Sequence, residues 1–148
     1  MSLSVELVSQ EKREFIDHDV DMVLIPATEG VIGVLPNHAP VLTTLSEGEL
    51  IIRKQNAEES FTIFGGVVDI RPEKVVILAD LVESTFDLDV EEAEAARERA
   101  TKLLAEGAST EDRREAHRAL RRAEITLRIK RKMQARGTVL RIIHEEDQ

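Results

Sequence analysis

Near Leu88 the sequence changes its structural vocabulary within a few residues, and a chain built that way has to fold in two parts. Before that point stand all four prolines, five of the seven glycines and twenty Val and Ile residues in short runs. Between Glu91 and Gly137 there is neither Pro nor Val, only Ile125 and Ile129 are both β-branched and apolar, and Ala, Glu and Arg dominate. β-branched runs cut by Gly and Pro favour strands, whereas Ala, Glu, Arg and Leu lose little freedom in a helix. The fold class expected is α+β in two segregated modules. An N-terminal antiparallel β-sandwich or flattened barrel covers 1–87, an antiparallel α-helical hairpin covers 88–137, and a C-terminal tail covers 138–148.

Short strands are expected at 3–8, around Phe15, and at 20–25, 30–35, 49–53, 60–64, 67–70 and 75–79. Turn signals fall at 27–30, 36–40, Glu47-Gly48, Gln55-Asn56, Gly65-Gly66 and Pro72-Glu73. A turn about every 8–12 residues is the rhythm of a sandwich or barrel. No helical crossover separates the strands, as a parallel α/β fold requires.

In the second module Asp87 or Asp89 can cap the first helix, with Glu92 three residues after Asp89 as in a capping box. Gly107 ends that helix, Ser109 or Thr110 caps the next, and Gly137 ends the second. The short joint at 106–109 makes the helices antiparallel neighbours. Ala93, Ala96, Ala100 and Leu103/Leu104 form one apolar stripe; Ala116, Ala119/Leu120, Ala123 and Leu127 form the other. An alanine seam packs closely but weakly, since a buried Leu contributes about 1.5–3 kcal/mol and Ala far less. Ile125, Ile129 and Met133 lie on another face of the second helix. The hairpin is expected to leave that face partly exposed for a second partner.

Charge and composition narrow the function classes. Residues 1–87 carry 6 basic and 16 acidic side chains, while 111–148 carry 11 basic and 7 acidic. An acidic front module without Trp or Tyr offers neither a phosphate track nor stacking platforms, so no nucleic acid is expected as partner. With no Cys, disulfides and thiolate chemistry are excluded. His18, His38, His117 and His144 show no ligand spacing, and no metal is expected. No Gly-rich phosphate loop or nucleophile elbow is present, and Gly65-Gly66 is explained by a tight turn. No run approaches the roughly 18 apolar residues of a membrane span, and the N-terminus lacks the plan of a signal peptide. A cytoplasmic, non-catalytic protein without direct membrane insertion is expected.

The segment Pro36-Asn37-His38-Ala39-Pro40 has two readings. It is a rigid crossover between strands, or a stiffened loop presenting His38 as a docking edge.

Three stretches in this order resemble the epsilon-subunit family of the F-type proton-translocating ATP synthase. They are Glu29-Gly30-Val31-Ile32-Gly33-Val34-Leu35-Pro36-Asn37-His38-Ala39-Pro40, Gly65-Gly66-Val67-Val68-Asp69-Ile70 and Val75-Val76-Ile77-Leu78-Ala79-Asp80. Asp87-Leu88-Asp89 and an Ala/Glu/Arg helix follow, and the likeness runs from residue 1 to about 135. It implies a central-stalk rotor component that couples proton flow to ATP synthesis. Its sandwich would be fixed to the gamma subunit, with Glu29, Val31, Ile32 and His38 facing the ring of c subunits. It also implies a hairpin that either folds against the sandwich or extends along gamma into the alpha/beta catalytic head, restraining ATP hydrolysis. Arg121, Arg122 and Arg128 would then meet the head or gamma. The location implied is peripheral, on the cytoplasmic face of the bacterial plasma membrane.

Some family members bind ATP through Ile/Leu-Asp-x-x-Arg-Ala at the start of the first helix. The matching stretch here is Leu88-Asp89-Val90-Glu91-Glu92-Ala93, with Glu92 at the Arg position, where it repels a triphosphate. No cofactor is expected beyond ATP as a weak regulatory ligand, for which Asp89, Arg97, Arg99, Arg122 and Arg128 are the candidates. The alternatives are a free-standing nucleotide-sensing module and a small β-sandwich enzyme with a helical cap. The enzyme reading requires a polar pocket.

Overall fold

In the computed structural model, which describes residues 2–137 and 139–142, the change of vocabulary at Leu88 marks the junction of two compact units. One unit holds the chain up to Phe86 together with the described residues 139–142; the other is Asp87–Gly137.

The first unit contains β1 (Leu3–Val8), β2 (Arg13–Val20), β3 (Met22–Ala27), β4 (Gly30–Val34), β5 (Val41–Lys54), β6 (Ala57–Ile70), β7 (Lys74–Ala79) and β8 (Val82–Ser84). They make one sheet in the order β2-β1-β7-β6-β5-β3-β4, with β8 also on β6. Neighbours are antiparallel except β1 and β7, which run parallel with Val5 beside Val75 and Leu7 beside Ile77. The sheet stays open, so it is a sandwich and not a closed barrel. It folds over on itself. Lys54 Nζ on β5 meets Asp17 on β2 at 3.0 Å, although three strands separate them in the sheet order. Alternation supplies the inner layer: β1 buries Leu3, Val5 and Leu7 and turns Ser4, Glu6 and Val8 outward. Val23, Ile52, Ile63, Ile70 and Ile77 complete the middle of a single core.

The long hairpin β5/β6 overrides two expected turns. Glu47-Gly48 lies inside β5 and Gly65-Gly66 inside β6, and the two strands pair from Val41↔Ile70 to Lys54↔Ala57. Both glycines are there for space. A Cβ on Gly48 would come within 2.9 Å of the Pro26 side chain. Pro26 itself sits inside β3, past the expected end of that strand, where the β3–β5 register is interrupted between Leu24 and Ala27. At Gly66, φ is 129° and a Cβ would lie 2.8 Å from Ala79 Cα and closer still to Leu78 O. The backbone of β7 occupies the room a side chain needs.

The second unit is a helical hairpin of α1 (Val90–Ala105) and α2 (Thr110–Arg136). The Asp89 carboxylate accepts the Glu92 amide at 3.1 Å, and Ser109 Oγ accepts the Asp112 amide at 3.3 Å. Gly107, in the joint, has φ of 72°. The alanine seam is present: Ala93, Ala100, Ala116 and Ala123 are buried. Leu103, in contrast, is exposed. The open second face is absent. Ile125, Ile129 and Met133 are buried, as are Thr126 and Leu127 between them. A helical wheel drawn against one partner helix counts only what that helix covers, whereas burial depends on every neighbour.

Residues 139–142 of the tail, for which the sequence offered no structural reading, rejoin the first unit. Leu140 bridges Ala57 in parallel, the Glu58 amide donates to Leu140 O at 2.7 Å, and Ile142 enters the core.

Candidate subunit interfaces

The outward sides of three adjacent strands, β1, β7 and β6, carry an apolar row in register, which ends at Thr44 on β5. Val8 on β1 lies beside Leu78 on β7, Leu78 opposite Val67 on β6, and Val67 opposite Thr44 on β5. In the next row Leu42 stands opposite Asp69, and Asp69 opposite Val76. Leu42 is 77% exposed, Leu78 49% and Val67 40%. A shallow cleft of about 220 Å³, lined by Val8, Ser9, Gln10, Val67, Leu78 and Asp80 among others, lies along the first row. Antiparallel sheets with a solvated face ordinarily turn polar side chains to water, so an outward apolar row marks a contact surface. Sequence reasoning did not single out these residues. The available signal was the unbroken apolar run Val75-Val76-Ile77-Leu78-Ala79, which leaves no polar side for water.

A second surface is built on β4 and the loop after it. Glu29 is exposed in the two-residue turn Thr28-Glu29, where Ala27 faces Gly30 across the β3–β4 hairpin. Val31 is 71% exposed, and Leu35, another residue the sequence reading passed over, is exposed just past the strand. Ile32 points the other way and packs partly buried on the core. His38 is half-buried; its amide donates to Leu35 O at 3.2 Å and its Nδ1 lies 2.7 Å from Ala39 O. Asn37, with φ of 71°, donates its amide to Pro72 O at 2.6 Å. Two prolines and these backbone bonds hold the loop stiff. Of Glu29, Val31, Ile32 and His38, Glu29 and Val31 therefore expose their side chains, while Ile32 supports the strand from beneath.

The root of the hairpin is held by a buried hydroxyl cluster. Thr85 Oγ1 lies 2.8 Å from Ser60 Oγ and 3.1 Å from Thr62 Oγ1, and Ser60 also donates to the Glu49 carboxylate. All three hydroxyl residues are fully buried, which fixes the single 3₁₀ turn Thr85–Asp87 that leads into α1.

The nucleotide candidates are partly engaged elsewhere. Asp89 serves as the α1 N-cap, and Glu92 Oε1 holds Arg99 Nη2 at 2.9 Å. Arg97 is exposed on α1; Arg121, Arg122 and Arg128 are exposed on α2. Among the described residues no three His, Cys, Asp or Glu side chains converge as a metal site, and no helix is long and apolar enough to cross a membrane.

The chain is thus a two-part protein, a β-sandwich with an outward apolar row followed by a helical hairpin. Residues 2–85 match the family described as ATP synthase, Delta/Epsilon chain, beta-sandwich domain, and 87–130 match its long alpha-helix domain. Residues beyond 130 lie outside both. The chain is 40% identical to the ATP synthase epsilon chain of Herpetosiphon aurantiacus over 129 residues, 87% of this chain and 94% of that one. With the epsilon chain of Syntrophobacter fumaroxidans the identity is 41% over 133 residues, 88% of this chain and 96% of that one. The fold resembles a chain in the Euglena gracilis mitochondrial ATP synthase structure (OSCP/F1/c-ring) with a TM-score of 0.68 at 20% identity, over 93% of this chain and 82% of that one. The chain belongs to the epsilon-chain family of the F-type ATP synthase.

Proposed function

We infer that this chain is a non-catalytic component of the central stalk, coupling rotation to ATP synthesis and restraining ATP hydrolysis through α1 and α2. The observation that carries the reading is the match of both halves, in order, to the two domains of one family, spanning 2–130. The outward row Val8, Val67, Leu78, with Leu42 beside it, suits the gamma subunit, because an apolar sheet face needs a permanent partner. Glu29, Val31 and the loop carrying His38 form the side toward the c-ring, with Ile32 supporting them. Arg121, Arg122 and Arg128 offer positive charge to the alpha/beta head or to gamma when the helices extend, an attraction that salt screens. The protein works peripherally, on the cytoplasmic face of the bacterial plasma membrane.

The shallow cleft supports docking more than chemistry: Val8, Val67 and Leu78 border it without a cluster of titratable groups. A nucleotide-sensing module is the competing reading. It is weakened by Glu92, which stands at the motif Arg position and engages Arg99. Calorimetric titration of the full chain with ATP separates the two, since affinity tighter than millimolar favours nucleotide sensing. The main test is assembly. The chain is expected to co-purify with the gamma subunit, and deleting 88–148 is expected to raise ATP hydrolysis of the reconstituted head. Unchanged hydrolysis would remove the regulatory half of the proposal and leave the coupling half standing.

A further inference from the structure

The described tail residues make three unlike contacts with the sandwich. The first is backbone pairing: Leu140 extends in parallel beside Ala57, and its carbonyl accepts the Glu58 amide at 2.7 Å. It thereby covers the stretch of β6 that β8 leaves open, since β8 reaches only Phe61, Thr62 and Ile63. An uncovered strand edge is a row of unsatisfied donors and acceptors. The second contact is ionic. Arg141 Nη2 and Nε both donate to Glu59 Oε1, at 2.7 and 3.2 Å, and the guanidinium lies 4.4 Å from the centre of the Phe86 ring. Glu59 is 2% exposed, so Arg141 is the cation that accompanies a carboxylate removed from water. The third contact is apolar: Ile142 is 5% exposed within the core.

These contacts matter because of where they fall in the chain. Phe86 is the last residue before the hairpin, and only three peptide steps separate Gly137, at the end of α2, from the bridged Leu140. The hairpin is thus tied to the sandwich at both ends, by the Thr85 cluster before α1 and by the tail after α2. A hairpin held at its entry alone can swing about that point. One held at both ends has to open one of them first.

We propose that residues 139–142 are a latch in cis, which docks on β6 and Phe86 and restrains α1 and α2 from extending. The inference rests on the regulatory reading given above and adds the device that controls it. Carrying the end of α2 away from β6 unpairs Leu140 first, then breaks the Arg141–Glu59 pair, and finally lifts Ile142, each one residue further along the chain. Full extension loses all three contacts. Release uncovers Glu59 and leaves the β6 edge free.

The chain has no cysteine, so pairs of spin labels can be placed without background. Labels at Asn56→Cys, in the β5–β6 turn, and Lys132→Cys, at an exposed position of α2, report the separation in the full-length protein. Truncation after Gly137 is expected to add a longer-distance component, as is the double variant Arg141→Ala/Ile142→Ser. The Glu58 amide is expected to exchange hydrogen at least about ten-fold faster in both, while amides in the middle of β5 and β6 keep their protection. Arg141→Ala alone, with Ile142 still anchored, serves where the larger changes do not fold. An unchanged distance distribution in variants with an exposed Glu58 amide would reduce the tail to a strand cover and overturn the latch. In the assembled synthase, latch variants are expected to inhibit ATP hydrolysis more strongly than the parent chain. Deletion of 88–148 tests the inhibitory role itself, so failure of that role is distinguishable from failure of the latch.

Discussion

Phe15 and Phe61 meet edge to face, their ring centroids 5.9 Å apart and their planes at 74°, although β1 and β7 lie between their strands in the sheet. The contact joins the two layers of the folded sheet near the β5–β6 turn. Replacing Phe61 by Ala removes the ring and leaves a cavity where the backbone cannot close. A loss of about 3–5 kcal/mol is expected, read as a lower urea midpoint with an unchanged slope. A loss below about 1 kcal/mol would mean that the layers hold together without this pair.

Gly66 and Gly107 both have positive φ, but only Gly66 is crowded. Alanine at Gly107 meets open space and is expected to cost about 1 kcal/mol of backbone strain. Alanine at Gly66 adds a collision with Leu78 O and Ala79 Cα and is expected to cost about 2 kcal/mol more, with loss of β6–β7 amide protection. Equal costs at the two sites would show that β7 moves aside.

The outward row is expected to separate binding from stability. Leu78→Glu changes a side chain already half in water, so folding free energy should shift by no more than about 0.5 kcal/mol. Affinity for the gamma subunit should fall at least ten-fold, about 1.4 kcal/mol, because a carboxylate would be buried without a partner. Surface-interaction measurements on the full chain and isolated gamma decide it; full affinity in the variant would move the gamma contact elsewhere.

Helix capping gives a prediction local to the hairpin. Asp89→Ala and Ser109→Ala each delete a side-chain acceptor for an otherwise unpaired amide and should cost about 1 kcal/mol apiece. Faster hydrogen exchange is expected in the first turns of α1 and α2, with the β5–β6 ladder unaffected. Slower exchange, or a change confined to the sandwich, would contradict the assignment of these caps.

Much of the molecule is legible because local chemistry and final structure agree. The boundary near Leu88, the caps Asp89 and Ser109 and the Ala93/Ala100/Ala116/Ala123 seam follow from spacing and backbone preference alone. The turns at Glu47-Gly48 and Gly65-Gly66 do not form. There glycine answers a steric need set by Pro26 and β7, which are distant in sequence. The outward position of Leu78 and Val67 was half visible, in an apolar run too continuous for a solvated face. The Arg141–Glu59 pair was not visible, since 82 residues separate its members.

By itself the sequence determined the two structural vocabularies, where one gives way to the other, and the family in which they occur together, because these depend on residues close along the chain. Only the tertiary structure decided which glycines make turns, which valines and leucines face outward, and where residues 139–142 go. Those outcomes depend on what strand register and chain return bring into contact, and no local preference encodes them.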